Sequence, residues 1–391
     1  MTRKLYYENS FLQNFSSEVI KREENYVVLR ETAFYPSGGG QPHDLGTLNG
    51  IAVTNVEIID GEIRHFLAEA LPENTEEVEG EIDWQRRFDH MQQHAGQHIL
   101  SAAIEQLFGW QTVSFHLGKD SATIDLDVND VSEQQLNEVE LLANTIILEN
   151  RPIETKWVTE EELSQYNLRK ETKVKENIRL VIIPDFDYNA CGGTHPLSTG
   201  QVGHIKILTT EKQKRQIRLE FVCGDRVITH LNRKQKVLLD LISTLSSPED
   251  KLVDTAKNLI DSNKSLEKQV TELKDSPLQY EAKDLLSERG VSTIITSTFQ
   301  NRSIQELQKL AKMVVAELPE ATCLLVSEND SKLQLVAAKG NAVEQSMKVL
   351  MANILPFING KGGGSEALAQ GGGEKLLTSE QLIEKAIANI I

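Results

Sequence analysis

Two short runs about a hundred residues apart carry the side chains best suited to chemistry. His94-Ala95-Gly96-Gln97-His98 and Cys191-Gly192-Gly193-Thr194-His195 together offer three imidazoles and one thiol. Such a mixed nitrogen and sulfur set suits Zn²⁺, which prefers four donors in a tetrahedron, so one ion could tie the two runs together. Residues four apart share a helix face, and His94 and His98 can therefore reach one metal. His90 extends the same face one turn earlier, and spacing alone does not choose between His90/His94 and His94/His98. The helical pair is a weak signal by itself, since two histidines on a helix are more often surface or packed residues. The second run strengthens it, because its cysteine and histidine flank a Gly-Gly-Thr turn. A metallopeptidase is excluded: Ala95 stands where the HExxH motif needs its glutamate general base. Activation of water must come from the metal, another side chain or the substrate.

The elements that must position these residues are mixed. Residues 1 to about 85 read as β, with apolar or alternating runs at Tyr26–Leu29 and Ile51–Ile59. Within them TAFYPSGGGQPHDLG, Thr32 to Gly46, is a loop too rich in glycine and proline for a helix. A helix is predicted over Asp89–Phe108 and a strand over Thr123–Val128. Ser132 and Gln135 have capping-box spacing for a second helix, and strands follow at Arg179–Ile183 and Ile217–Cys223. This is an α+β domain ending near residue 230. From 231 to about 289 the chain is helical and polar. Ser247-Pro248-Glu249-Asp250 marks a helix start, after which Leu252, Leu259, Leu266 and Leu273 recur every seven residues. Ala256, Asn263 and Val270 occupy the other seam positions, so the segment can pair with a second copy or fold back on a Leu231–Leu245 helix. Residues 290–391 form a small α/β unit with strands at Val291–Ile295, Cys323–Val326 and Leu333–Ala337. Helices are predicted at Ile304–Leu318, Val343–Leu355 and Ser379–Ile390, and GKGGGSEALAQGGG, Gly360 to Gly373, reads as a loop whose backbone N–H groups can approach phosphate.

Composition narrows the class further. The three cysteines are widely spaced and odd in number, which argues against a disulfide scaffold and for a reducing cytoplasm. No apolar run reaches the ~18 residues that a membrane span needs. A net charge of −17 disfavours indiscriminate binding to nucleic acid. Local basic stretches remain, and solvated faces are their ordinary meaning. Lys206, Lys212, Lys214, Arg215 and Arg218 lie beyond the Cys191 run, and Arg169, Lys170, Lys173, Lys175 and Arg179 lie before it. Their place on either side of the candidate metal site points towards RNA.

HMQQHAGQHIL, CGGTHPLSTGQVGHIKI, TAFYPSGGGQPHDLG and IRLEFVCGDR resemble the signatures of the editing domain of alanyl-tRNA synthetase and of its free-standing AlaX-type relatives. These motifs span about residues 30 to 226, and the C-terminal unit resembles the DHH-associated, or C-Ala, domain of the long form. The resemblance implies a β-barrel-like N-terminal subdomain (1–85), a zinc-binding α+β editing domain (86–230), a coiled-coil segment (231–289) and a tRNA-binding domain (290–391). It implies one Zn²⁺ per chain on His94, His98, Cys191 and His195, with His90 outside the set. The implied reaction is hydrolysis of the ester that joins a wrong amino acid, serine or glycine, to tRNA(Ala). A zinc with four protein ligands is also the pattern of a structural site, so a non-catalytic tRNA-binding protein is the competing reading.

Around that centre, Thr32 is a candidate to recognise the hydroxyl of serine, or else an ordinary strand threonine. Gly38, Gly39 and Gln41 are expected to form a pocket wall, and Ser114 and His116 to point inward. Gly192 and Gly193 could offer N–H donors to an oxyanion. Arg215, Arg218, Arg226, Lys361 and Gly362, Gly363 and Gly364 are the candidate tRNA contacts. Nothing before Thr32 resembles a class II aminoacylation core, so the chain is not expected to charge tRNA by itself.

Overall fold

Alternating apolar residues close the first part of the chain into a barrel. Strands β1 (Asn14–Arg22), β2 (Tyr26–Leu29), β3 (Gly46–Leu48), β4 (Ile51–Ile59), β5 (Glu62–Leu67) and β6 (Glu77–Ile82) run in the spatial order β1-β2-β5-β4-β3-β6, and β6 pairs back to β1. Phe15, Leu29, Leu48, Val56 and Val78 fill the interior from alternating strand positions, as the pleat requires, and Phe34 joins them from the segment between β2 and β3. This is a computed structural model, and it describes residues 2–172 and 176–390. Lys173 and Lys175 of the upstream basic stretch lie outside the described residues.

The helix of the first histidine run, α1, covers Trp84–Phe108, a turn longer than the sequence suggests. Asp83 explains the earlier start: its carboxylate accepts the Arg86 N–H at 3.1 Å and caps the first turn. Most of α1 is buried although many of its residues are polar. Arg86 and Arg87 bond its first turns to the glycine loop, and its later residues pack on a four-stranded antiparallel sheet formed by β7 (Thr112–Leu117), β8 (Ala122–Leu126), β12 (Ile205–Gln213) and β13 (Gln216–Cys223), in the order β12-β13-β8-β7. Gln93 brackets the backbone of Cys223 on β13, accepting its N–H at 2.8 Å and donating to its carbonyl at 3.0 Å. A Cβ on Gly96 would stand 2.1 Å from the Cys223 sulfur, so only glycine allows helix and strand this close. Helix α2 (Glu133–Leu148), with its Ser132/Gln135 capping box, covers the same core. The strands β9 (Glu154–Val158), β10 (Ile178–Ile183) and β11 (Asp187–Ala190) form a second small sheet that delivers the Cys191 turn.

Two compact units result, one up to Leu241 and one from Ile242 onward, and the divide falls inside helix α3 (Asp225–Leu245). In the second unit helix α4 runs from Leu252 to Glu288. The heptad residues Leu259, Leu266, Val270 and Leu273 on it are at least half exposed, whereas Leu278 and Ala282, just beyond Pro277, are buried against the C-terminal sheet. That sheet has the order β14 (Ile294–Gln300), β15 (Thr322–Asn329), β16 (Lys332–Lys339), β18 (Leu368–Glu374), β17 (Lys361–Gly364). Only the β14–β15 pair is parallel, connected through α5 (Ile304–Glu317). Alternate β15 residues serve opposite faces: Cys323 and Leu325 meet α5, while Leu324 and Val326 meet α6 (Met347–Ile354) and α7 (Ser379–Ala388).

The expected glycine loop is a hairpin instead. Lys361–Gly364 and Leu368–Glu374 pair as β17 and β18, with Gly362 opposite Gly371. Its glycines give close approach: a Cβ on Gly371 would lie 2.4 Å from the Leu355 side chain, so the Leu355–Ile358 turn packs directly on the strand. Lys361 and Gly362 to Gly364 sit on the exposed edge of the sheet as an extended strand. Among the described residues no helix is long and apolar enough to cross a membrane.

Candidate metal centre

The two chemical runs meet. One ligand atom each from His94, His98, Cys191 and His195 lies within 4.8 Å of all the others. The Cys191 sulfur stands 3.3 Å from His94 Nε2 and 3.4 Å from His195 Nε2. His90 is not among them; it lies one turn away on α1 with its Nδ1 buried and unpartnered. All three histidine ligands are almost wholly buried. Thiolate plus three imidazoles is a donor set that fits Zn²⁺, and among the described residues no carboxylate joins the group.

The surrounding groups set the tautomers. His94 Nδ1 donates to Gln41 Oε1 at 3.1 Å, and His98 Nδ1 donates to Asp187 Oδ2 at 2.9 Å, so each turns Nε2 towards the shared point. Asp187 is held in turn by Arg169, whose Nε donates to it at 2.7 Å. Gln41 also accepts the Thr194 N–H at 3.1 Å and donates to the Thr194 hydroxyl at 2.7 Å, clamping the turn to the glycine loop. That loop is anchored to α1 by a fully buried ion pair between Asp44 and Arg87. Arg179 donates to the carbonyls of Cys191 at 3.0 Å and Gly193 at 2.8 Å, and its guanidinium lies over the Tyr7 ring.

Charge follows from these contacts. Burial opposes ionisation of Cys191, yet the imidazoles of His94 and His195 hold its thiol well below the usual range, towards the thiolate that a metal needs. Burial drives His195 down to about 3, which keeps its ring neutral. Burial also works against a charged His98, but Asp187 and Cys191 lift it to about 9. A proton on that ring must leave before Nε2 can ligate, so metal uptake is linked to proton release.

Several expected contacts are placed differently. Thr32 is fully buried, and its hydroxyl donates to His65 Nε2 at 2.8 Å and accepts the Phe34 N–H at 3.1 Å. Gln41 is 3 % exposed and orients His94 in place of lining a wall. Strand alternation turns Ser114 and His116 away: Phe115 is the β7 residue that stacks on His94, with ring centroids 5.5 Å apart, while Ser114 bonds Asp125 at 2.6 Å. The Gly193 N–H points to the Cys191 sulfur at 3.4 Å and supports the thiolate. A Cβ there would lie 2.2 Å from the His94 ring, which explains the glycine. Gly38 and Gly39 are exposed, and a Cβ on Gly39 would reach within 3.6 Å of the Gly192 backbone, so loop and turn adjoin.

The basic candidates divide in the same way. Arg218 is paired bidentately with Asp125 and Arg226 with Asp89, so both are neutralised within the fold. Arg215 is exposed at the turn between β12 and β13. Asp187, Arg169, Arg87 and Asp44 carry no motif of their own. HDLG inside the glycine motif points to Asp44, and the basic stretch before the Cys191 run points to Arg169.

Known proteins resemble this chain over most of its length. Residues 178–220 match the family described as "Threonyl and Alanyl tRNA synthetase second additional domain". Residues 5–86 match "tRNA synthetases class II (A)", a likeness that the sequence reading did not find before Thr32; those residues include the barrel. The alanyl-tRNA editing protein AlaX-L of Pyrococcus horikoshii is 33 % identical over 387 residues, covering 95 % of this chain and 94 % of that protein. The alanine–tRNA ligase of Pyrococcus abyssi is 33 % identical over 402 residues, covering 99 % of this chain but 43 % of the ligase. The chain thus spans less than half the length of that ligase. The C-Ala domain of Aquifex aeolicus alanyl-tRNA synthetase matches at 20 % identity with a TM-score of 0.24, covering 25 % of this chain and 89 % of that one. With its imidazole and thiol runs joined at one point and near end-to-end likeness to AlaX-L, the chain belongs to the AlaX-type family of alanyl-tRNA editing proteins.

Proposed function

We propose that the protein is a zinc-dependent deacylase that hydrolyses the ester of serine, and of glycine, wrongly attached to tRNA(Ala). The observation that carries this reading is the convergence of His94, His98, Cys191 and His195 beside the exposed glycine loop. A zinc ion bound there would supply Lewis-acid polarisation of the ester or lower the pKa of a water. The chain's own residues prepare that chemistry. Gln41 and Asp187 fix the rings of His94 and His98, and the Gly193 N–H and two neighbouring imidazoles stabilise the Cys191 thiolate. Phe115 covers one face of His94 and keeps water from that side. Gly38 and Gly39 remain the candidate wall for the esterified ribose, and Gly192 a donor towards the developing oxyanion. The second unit would add tRNA affinity through Lys361 and the exposed strand Gly362–Gly364, and Arg215 would add a cation on the first. A second copy of the chain would cover the exposed α4 seam.

Four protein ligands also favour a second reading, a structural zinc in a protein that binds tRNA without hydrolysing it. Purified protein incubated with Ser-tRNA(Ala) and Ala-tRNA(Ala) separates the two. Release of serine and not alanine, with one zinc per chain and loss of both on Cys191→Ala, is the expected result. Tight binding without release, or full activity in Cys191→Ala, overturns the deacylase.

A further inference from the structure

A cavity of about 910 Å³ adjoins the metal centre and contains none of its ligands. Three elements step from the centre into it. Helix α1 gives His94 to the centre and His90, one turn earlier, to the cavity. Strand β7 gives Phe115 against His94 and Leu117, the next residue on the same face, to the cavity. The glycine loop gives Gln41 to His94 and Pro42 to the cavity. A helical turn and a pair of strand residues each advance about 6–7 Å, so centre and cavity are direct neighbours.

The chemistry of the wall is specific. His90 lines the cavity with a ring that is 4 % exposed, while its Nδ1 is turned into the protein without a hydrogen-bond partner. Burial, with help from Arg86, depresses its pKa to about 4, so the ring is neutral. Trp84 and Phe88 are half-buried with ring centroids 5.5 Å apart, and they border the same space. The charges around them are balanced. Arg226 is closed on Asp89, and Arg86, Lys119, Asp83 and Asp225 contribute two of each sign. A neutral wall with aromatic rings and one neutral imidazole suits a flat heteroaromatic base better than a phosphate.

We propose that this cavity seats the base of the nucleotide immediately 5′ of the esterified one, stacked on Trp84 and Phe88 and hydrogen-bonded at its edge by the His90 ring. The assignment rests on the deacylase reading for its substrate. The terminal nucleotide has to lie against the centre to present its ester, which leaves the adjoining cavity to its neighbour. The base is held as a handle, drawing the ester towards the centre, and takes no part in bond breaking.

The test uses full-length protein and acceptor-stem RNAs whose penultimate nucleotide is natural or abasic. Binding of the uncharged RNAs and KM for the seryl forms are measured for wild type, Trp84→Ala and His90→Phe, with the zinc-to-protein ratio as the check on folding. Loss of the stack is expected to weaken wild-type binding about tenfold on the abasic RNA. Each variant should show a similar loss on natural RNA and almost none on abasic RNA, with the seryl substrates following in KM. Equal losses on both RNAs, or no effect of removing the base, overturn the proposal. Should wild type release no serine, the deacylase reading fails while the binding series still decides the base seat. If His90→Phe loses zinc, the half-buried Trp84→Ala carries the comparison.

Discussion

Asp187 decides which nitrogen of His98 faces the candidate metal centre, and it does so from strand β11 while His98 sits on helix α1. Its carboxylate sits 1 % exposed between His98 and Arg169, with its pKa lowered by His98 and Arg169 against the opposing effect of burial. A carboxylate in that place fixes ring orientation and raises ligand basicity. Asp187→Asn is therefore expected to weaken zinc binding 10- to 100-fold, measured by competition with a chelator, while the fold persists. An unchanged affinity would show that the ring is held by packing alone. Gln41 does the same for His94 with a neutral amide. Gln41 sits in the glycine motif and Asp187 in no motif, yet each acts across more than fifty positions of chain.

At the scale of elements, the barrel and α1 hold polar groups that the fold must keep neutral. His65 lies fully buried between Val27 and Thr32, and burial lowers its pKa from 6.5 to about 4. The unfolded chain thus takes up that proton first, so this contribution to stability is complete above pH 6.5 and drains away as pH falls to about 4. The loss attached to His65 is on the order of 3 kcal/mol. Urea denaturation at pH 7 and pH 4.5 should show it, and His65→Gln should shrink the difference between the two. An equal pH difference in wild type and variant would remove His65 as a source. The C-terminal hairpin makes another point at this scale. Glycines that suit a phosphate loop by composition also suit two strands under the Leu355–Ile358 turn, and only the packing distances choose between them.

Across the whole molecule, two units with separate cores share one chain. A chain ending at Leu241 keeps both cores of the first unit and the entire metal centre. It is expected to retain zinc and turnover at saturating substrate while losing tRNA affinity and, with the α4 seam gone, any self-association. Filter binding and sedimentation equilibrium check this; unchanged tRNA affinity would leave the second unit without its proposed role. Some of the protein was legible in its residues alone. The two donor-bearing runs, the Ser132/Gln135 capping box and the period of most strands and helices depend on short-range spacing, which a linear chain displays directly. Tertiary structure decided the rest: that His90 is excluded from the ligand set, that Phe115 and not His116 meets His94, and that Thr32, Arg218 and Arg226 are satisfied internally. The reason is physical. A polar side chain acquires its task from whichever partner lies within hydrogen-bond reach after folding, and those partners stand tens to more than a hundred residues away in the chain.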